Sequence, residues 1–216
     1  MMKFKYPSTP HLRTSQSVAH DDHLVTDEGL SRLASGLELV VTEKMDGGNV
    51  SLYRDDFHAR SLDARSQPWD ARSKAEWAAV RALIPADVRL SGESLSARRS
   101  VAYHNLPAAT LIFGAWRGEF ALAWDEVESL ASMLGFPTAP VLYRGTDFHA
   151  ACSAWRDSGR TEHTSEGFVV RLASGFNRSE FALSIAKWVR KNHVRTTADW
   201  RSHNNYELNT IKKETA

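Results

Sequence analysis

The stretch VVTEKMDGGNV crowds Glu43, Lys44 and Asp46 against Gly47 and Gly48 at the end of an otherwise apolar run. An amine attacks only when unprotonated, and a free lysine with a pKa of ~10.4 is almost wholly ammonium at neutral pH. Lys44 therefore needs burial, or positive charge from a divalent cation and basic side chains, to lower its pKa before it can act. Asp46-Gly47-Gly48 supplies a turn whose backbone can approach a phosphate closely, because glycine brings no side chain. These residue types suit attack on phosphorus. Lys-x-Asp-Gly fixes few positions, however, and on the tetrapeptide alone a β-hairpin closed by an Asp-Gly turn is the simpler account.

Short charged or aromatic insertions recur further along, at the ends of apolar runs: HARS with Arg60, LSGES with Glu93, LIFGAW with Phe113, SEGFVVR with Glu166, and AKWVRKNHV with Lys187 and Lys191. Their order and spacing resemble the nucleotidyltransferase motifs of the covalent lysyl-adenylate ligases, most closely the ATP-dependent RNA ligase family, over residues 38–195. The resemblance implies that Lys44 attacks the α-phosphorus of ATP, releases pyrophosphate and carries AMP as a phosphoramidate. AMP then passes to the 5′-phosphate of an RNA end, and a neighbouring 3′-hydroxyl displaces it to seal the strand. All three steps are displacements at phosphorus, so positioning and charge neutralisation carry the catalysis.

The same resemblance assigns the other residues. Arg60 forks onto phosphate oxygens, Glu93 accepts hydrogen bonds from the nucleotide sugar, and Phe113 stacks on adenine with Trp116 as its rival. Glu43 helps place the adenine, and Asn49 lies near the reacting phosphate. Glu166 matches the carboxylate that organises Mg²⁺ or Mn²⁺. Lys187 and Lys191 match the cationic motif at the α-phosphate, although the usual Lys-x-Lys spacing is absent and Arg190 competes for the place. Read as residues alone, Arg60 is equally a surface ion pair, Glu166 a strand-edge acid, either ring a core residue, and Glu43 or Asn49 a servant of the turn. Arg98, Arg99 and Tyr103 form either a strand-binding surface or a solvated basic loop.

The elements that must hold these residues have the texture of an α+β chain. LELVVTEK, NVSLYR and FHARSL read as a three-stranded antiparallel meander. PWDARSKAEWAAVRALIPAD carries Trp77, Val80 and Ile84 at helical spacing and stops at Pro85. VRLSGES, TLIFGAW and EFALAW read as strands, the last two joined by a tight turn at Arg117-Gly118. WDEVESLASMLGFP reads as a helix capped by Asp125 with Glu128, facing inward with Val127, Leu130 and Leu134 and ended by Gly135 and Pro137. TDFHAACSAWRDSG is a further helix, and EGFVVRL and FALSIAKWV are strands. Residues 1–36 read as a polar wrap over the surface, and 192–216 as polar without assigned structure. By the resemblance, the fold is a nucleotidyltransferase (ATP-grasp-like) one of antiparallel sheets flanked by helices.

Composition bounds the function. The 216 residues, 42% hydrophobic and 25% charged, suit one globular domain, and a net charge of +1 offers no bulk positive field for nucleic acid. A single cysteine, Cys152, excludes an internal disulfide framework and suits the cytoplasm, and no apolar run approaches the ~20 residues of a membrane span. Only 25 residues follow Lys191, too few for the OB barrel of DNA ligases, which favours an RNA ligase and leaves RNA ends to be supplied by an end-healing kinase or phosphatase in trans. A compact DNA ligase and a non-catalytic nucleic-acid end-binding module are the competing readings. HDDHL has metal-ligand residue types, but they are consecutive rather than spaced on one face, and the segment reads as a solvated loop.

Overall fold

Strands that the sequence places side by side divide between two antiparallel sheets. The computed structural model describes residues 3–20, 22–62, 67–191 and 206–212. Helix α1 (Asp27–Leu33) is capped by Thr26, whose side chain accepts from the Gly29 amide. Strands β1 (Leu39–Lys44), β2 (Gly48–Leu52) and β3 (Phe57–Ala59) follow. A 3₁₀ turn at Pro68–Asp70 leads into α2 (Ala71–Val80), then β4 (Val88–Ser94), β5 (Thr110–Arg117) and β6 (Phe120–Ala121). Next come α3 (Trp124–Met133), β7 (Val141–Gly145) and α4 (Phe148–Asp157). The chain continues through β8 (Gly167–Leu172), β9 (Phe176–Asn177), the single turn α5 (Phe181–Ser184) and β10 (Ile185–Val189). Four strands order as β10-β8-β1-β7 and six as β3-β2-β4-β5-β6-β9.

The alternation of side chains along β1 explains its central place. Leu39 and Val41 enter a core with Trp155 of α4, Phe168, Val170 and Leu172, whereas Val40 enters a second core with Leu52, Leu90, Val127 and Ala131. A strand apolar on both faces must be covered on both, and each fully buried Leu or Val contributes about 1.5–3 kcal/mol. A third, smaller cluster joins Met45, Leu95, Val101, Tyr103 and Leu106 beneath the chain that leaves β1. Among the described residues no helix is long and apolar enough to cross a membrane.

The expected meander is therefore corrected. β1 pairs with β7 and β8, while β2 pairs with β3 and β4, so Lys44 to Gly48 crosses from one sheet to the other rather than closing a hairpin. Gly47 makes the crossing possible: a Cβ there would lie 2.4 Å from the Ser94 carbonyl oxygen. FALSIAKWV is not all strand, since its first four residues form α5. The helix in WDEVESLASML starts earlier than expected, with the Glu126 carboxylate accepting from the Ala123 amide. Residues 1–36 do more than wrap the surface: Phe4, Leu12, Val25 and Leu33 are core, and α1 was not foreseen. Strand β7 was also missed. The end of the resemblance at 192–195 lies outside the described residues.

Candidate active site

Where the chain crosses between sheets, a cavity of about 780 Å³ opens. Lys44 ends β1, and the antiparallel register sets it opposite Gly167, the residue after Glu166. The Lys44 ammonium consequently donates to Glu166 Oε2 at 2.7 Å, and Glu166 is buried. Burial alone would lower the Lys44 pKa, but Glu166, then Glu93 and Asp46, outweigh it and hold the amine above its ordinary value. Lys44 is thus an ammonium in the resting protein, contrary to the lowered pKa that nucleophilic attack requires. The carboxylate that restrains it is also the group a divalent cation would engage.

The opposite wall comes from the six-stranded sheet. Asn49 and Glu93 are cross-strand neighbours on β2 and β4, and both line the cavity. Asn49 Oδ1 is buried and finds no hydrogen-bond partner within the protein. Glu93 Oε1 accepts from the Gly47 amide at 3.2 Å. Burial pushes the Glu93 carboxyl up to about 7, with Lys44 and Arg99 opposing and Glu166 and Asp46 reinforcing the rise. Phe113 of β5 also lines the cavity, with Tyr6 packed edge-on at 5.2 Å. Trp116 is core, stacked on Phe181 at 6.0 Å, which leaves Phe113 as the ring that borders the space.

The remaining expected residues fall into two groups. Arg60, just past β3, lines the cavity and donates to Ser8 Oγ at 2.8 Å. Glu43 also lines it and accepts from Arg160 Nε at 2.7 Å. Lys187 of β10 lines it from the other side of β8, where burial and the Lys44 charge outweigh Asp22 and hold its pKa below the ordinary value. Lys191 is not brought there: it lies past the end of β10, exposed, with its backbone amide on Gln16 Oε1 at 3.1 Å. Arg190 turns away as well, donating to Ser100 Oγ at 2.9 Å.

Sequence reasoning missed how the loop after Lys44 is held. Asp46 Oδ2 accepts from Ser100 Oγ at 2.6 Å and from the Val101 amide at 2.8 Å, and the Asp46 amide donates to Tyr103 Oη at 2.9 Å. Tyr103 is therefore a buried support, not part of a strand-binding surface. Arg98 pairs with Glu207 at the exterior, whereas Arg99 does line the cavity. Asn209 completes the support, accepting from the Tyr103 amide at 2.9 Å and donating to the Leu95 carbonyl at 2.8 Å. The HDDHL segment is not simply solvated, because Asp22 reaches Lys187 at 3.3 Å; Asp21 lies outside the described residues.

Among the described residues no cluster of three or more His, Cys, Asp or Glu could hold a metal ion unaided. A buried carboxylate paired with a lysine that lines the cavity nevertheless fits Mg²⁺ or Mn²⁺, which take one or two protein carboxylates and complete their shell with water and substrate phosphates.

A family model described as RNA ligase matches residues 37–189. No curated protein matches the chain in sequence. Among solved structures, the chain is similar to an archaeal ATP-dependent RNA ligase at 15% identity and a TM-score of 0.56, over 88% of this chain and 48% of that one. It is similar to the Naegleria gruberi RNA ligase with PPi at 16% identity and a TM-score of 0.57, over 88% of this chain and 63% of that one. An Aquifex aeolicus chain assigned as an ATP-dependent DNA ligase gives 15% identity and a TM-score of 0.54, over 88% and 50%. Variants of the Naegleria protein are solved with ATP and Mn. At these identities the likeness is one of fold alone, and the chain spans about half the length of the archaeal and Aquifex proteins.

Proposed function

The chain belongs to the RNA ligase family, and from that premise we propose that it forms a covalent lysyl-AMP at Lys44 and uses it to join RNA ends. The observation that carries the reading is the 2.7 Å bond from Lys44, which lines the cavity with Asn49 and Glu93, to the buried Glu166 behind it.

The residues divide the work. Lys44 attacks the α-phosphorus of ATP; an N–P bond forms, the bond to the bridging oxygen breaks, and pyrophosphate leaves. Before it can attack, Lys44 must give up a proton and its ion pair with Glu166. Glu166 would hold the divalent ion, whose positive charge would favour the neutral amine. Phe113 offers a face to the base, and Glu93 an acceptor for the sugar hydroxyls. Arg60 and Lys187 neutralise the charge that shifts toward pyrophosphate. Asn49 Oδ1 takes a donor from the nucleotide or the accepting strand. Glu43 sits beside the base site, its orientation fixed by Arg160. We leave Lys191 outside this set, because the structure keeps it off the cavity wall.

AMP then passes to the 5′-phosphate of an RNA end, and a 3′-hydroxyl displaces it. An end-healing kinase or phosphatase acting in trans is the proposed source of those ends, and the cytoplasm the proposed compartment. The test is incubation with α-labelled ATP and Mg²⁺ or Mn²⁺. Label should remain on denatured wild type and be absent from Lys44→Ala; label on both variants would overturn the assignment. Because the fold is also that of a chain assigned as a DNA ligase, the acceptor sugar is read next. Sealing that requires a ribose 2′-hydroxyl at the 3′ end marks an RNA ligase.

A further inference from the structure

Residues 10–20 and 22–25 lie outside the span matched by the family model, yet they pack against β10, whose Lys187 lines the cavity. The Lys187 amide donates to the Pro10 carbonyl at 2.9 Å, the Leu12 amide to the Lys187 carbonyl at 2.7 Å, and the Val25 amide to the His11 carbonyl at 2.8 Å. The segment thus runs along β10 and doubles back on itself, which delivers Asp22 to Lys187. Asp22 Oδ1 accepts from Lys187 Nζ at 3.3 Å. Oδ2 accepts from the Ala19 amide at 3.0 Å and faces His11 Nε2 at 3.1 Å. His11 is only 1% exposed, and its Nδ1 lies 2.8 Å from Ser15 Oγ, which accepts from the Val189 amide at 2.9 Å. The carboxylate thus lies against a histidine whose other ring nitrogen is linked through Ser15 to the strand that carries Lys187.

We propose that Asp22 is the positioning residue of Lys187, holding its ammonium charged and aimed into the cavity until the α-phosphate takes the carboxylate's place. The inference rests on the adenylate-forming reading of the site. Charge-assisted N–H···O contacts are commonly about 2.7–2.9 Å. Lys44–Glu166 at 2.7 Å is of that kind, and Lys187–Asp22 at 3.3 Å is looser. A loose pair orients the lysine without competing strongly against a phosphate.

Charge makes the carboxylate necessary. The Lys187 side chain is 19% exposed and shares the cavity with Lys44 of β1 and Arg171 of β8, while Glu166, ahead of β8, acts on it as an opposite charge. Arg171 donates to the Leu122 and Leu172 carbonyls and brings a further positive charge. A lysine so placed loses its proton more readily once its carboxylate is gone, and a neutral amine cannot offset phosphate charge. Burial, reinforced by Lys187, lowers the His11 pKa to about 4, so the imidazole is neutral near pH 7 and leaves the Asp22 charge to Lys187.

The test uses the full chain with Asp22→Asn and Asp22→Glu. Trace acetic anhydride labelling without nucleotide, read by mass spectrometry from pH 6 to 10, reports when the Lys187 amine becomes neutral. Asp22→Asn should shift that reactivity about one unit to lower pH. At saturating ATP near pH 8, the same variant should load AMP onto Lys44 about tenfold more slowly, with a much smaller change in the KM for ATP, and Asp22→Glu should recover most of the rate. An unshifted Lys187 profile in Asp22→Asn, or a rate loss that Asp22→Glu does not recover, overturns the proposal. If wild type takes up no AMP, the adenylate reading fails, while the labelling profile still decides whether Asp22 holds the Lys187 charge.

Discussion

Lys44 and Lys187 flank the same strand, β8, and line the same cavity, yet their surroundings push them in opposite directions. Both are desolvated, which disfavours an ammonium. Lys44 has a tight carboxylate at 2.7 Å with Glu93 and Asp46 nearby, and its pKa is raised. Lys187 has one loose carboxylate at 3.3 Å and the Lys44 charge against it, and its pKa is lowered. Burial alone does not tune a lysine; the count and distance of carboxylates decide. Lys44 is thus restrained by protonation, and Lys187 is the more easily neutralised amine. Under the proposed function, bound nucleotide and metal would reverse that order.

The contrast can be broken from the strongest side first. Lys44→Ala removes the nucleophile and should lower AMP uptake to background, on the order of a thousandfold or more, as measured by retained α-label. Glu166→Gln takes the carboxylate from Lys44 while keeping its shape. AMP uptake should fall about a hundredfold, while acetic anhydride labelling of Lys44 should become faster and approach that of Lys187. Unchanged Lys44 labelling in that variant would show that Glu166 does not set its charge.

Glu93 sharpens the comparison from the opposite wall. Its carboxyl is raised from 4.5 to about 7 in the fold, so the folded state holds the proton more tightly than the unfolded chain. Its contribution to stability is full below about 4.5 and is lost as the pH climbs through about 7. Glu93→Gln, which still accepts from the Gly47 amide, should therefore melt about 2–4 °C above wild type at pH 8, with the gain vanishing near pH 4.5. A constant difference across that range would remove Glu93 from the account. The smallest effect is expected at Tyr103→Phe, which leaves the Asp46 amide without its partner. Denaturant unfolding should show a loss of about 1–2 kcal/mol, with AMP uptake slowed only modestly.

The legible parts of the sequence were those with strong local pattern. VRLSGES, TLIFGAW and EGFVVRL hold strands, with Glu93 near the end of β4, Phe113 within β5 and Glu166 just before β8, and the helices over 71–80, 124–133 and 148–157 fall within segments read as helices. The pairing of strands was not legible. β1 reads as the first arm of a hairpin because Asp-Gly is a turn signal, and only the burial of both its faces reveals that it is central to a different sheet. For the site, motif order located Lys44, Glu93 and Phe113 on one cavity, with Glu166 bonded to Lys44. It could not separate Lys187 from Lys191, because that choice depends on where β10 stops. Nor could it show Asp22, whose partner is more than 160 residues away in sequence, or the Asp46–Ser100–Arg190 bonds that hold the loop after Lys44.

The most direct measurement is peptide mapping by mass spectrometry of enzyme first stripped of bound AMP, then incubated with ATP and Mg²⁺ or Mn²⁺ and denatured. A mass increment of AMP on the peptide containing Lys44, and nowhere else, is the predicted result. An increment on another lysine, or none under conditions where ATP is bound, would contradict the assignment of Lys44 as the nucleophile.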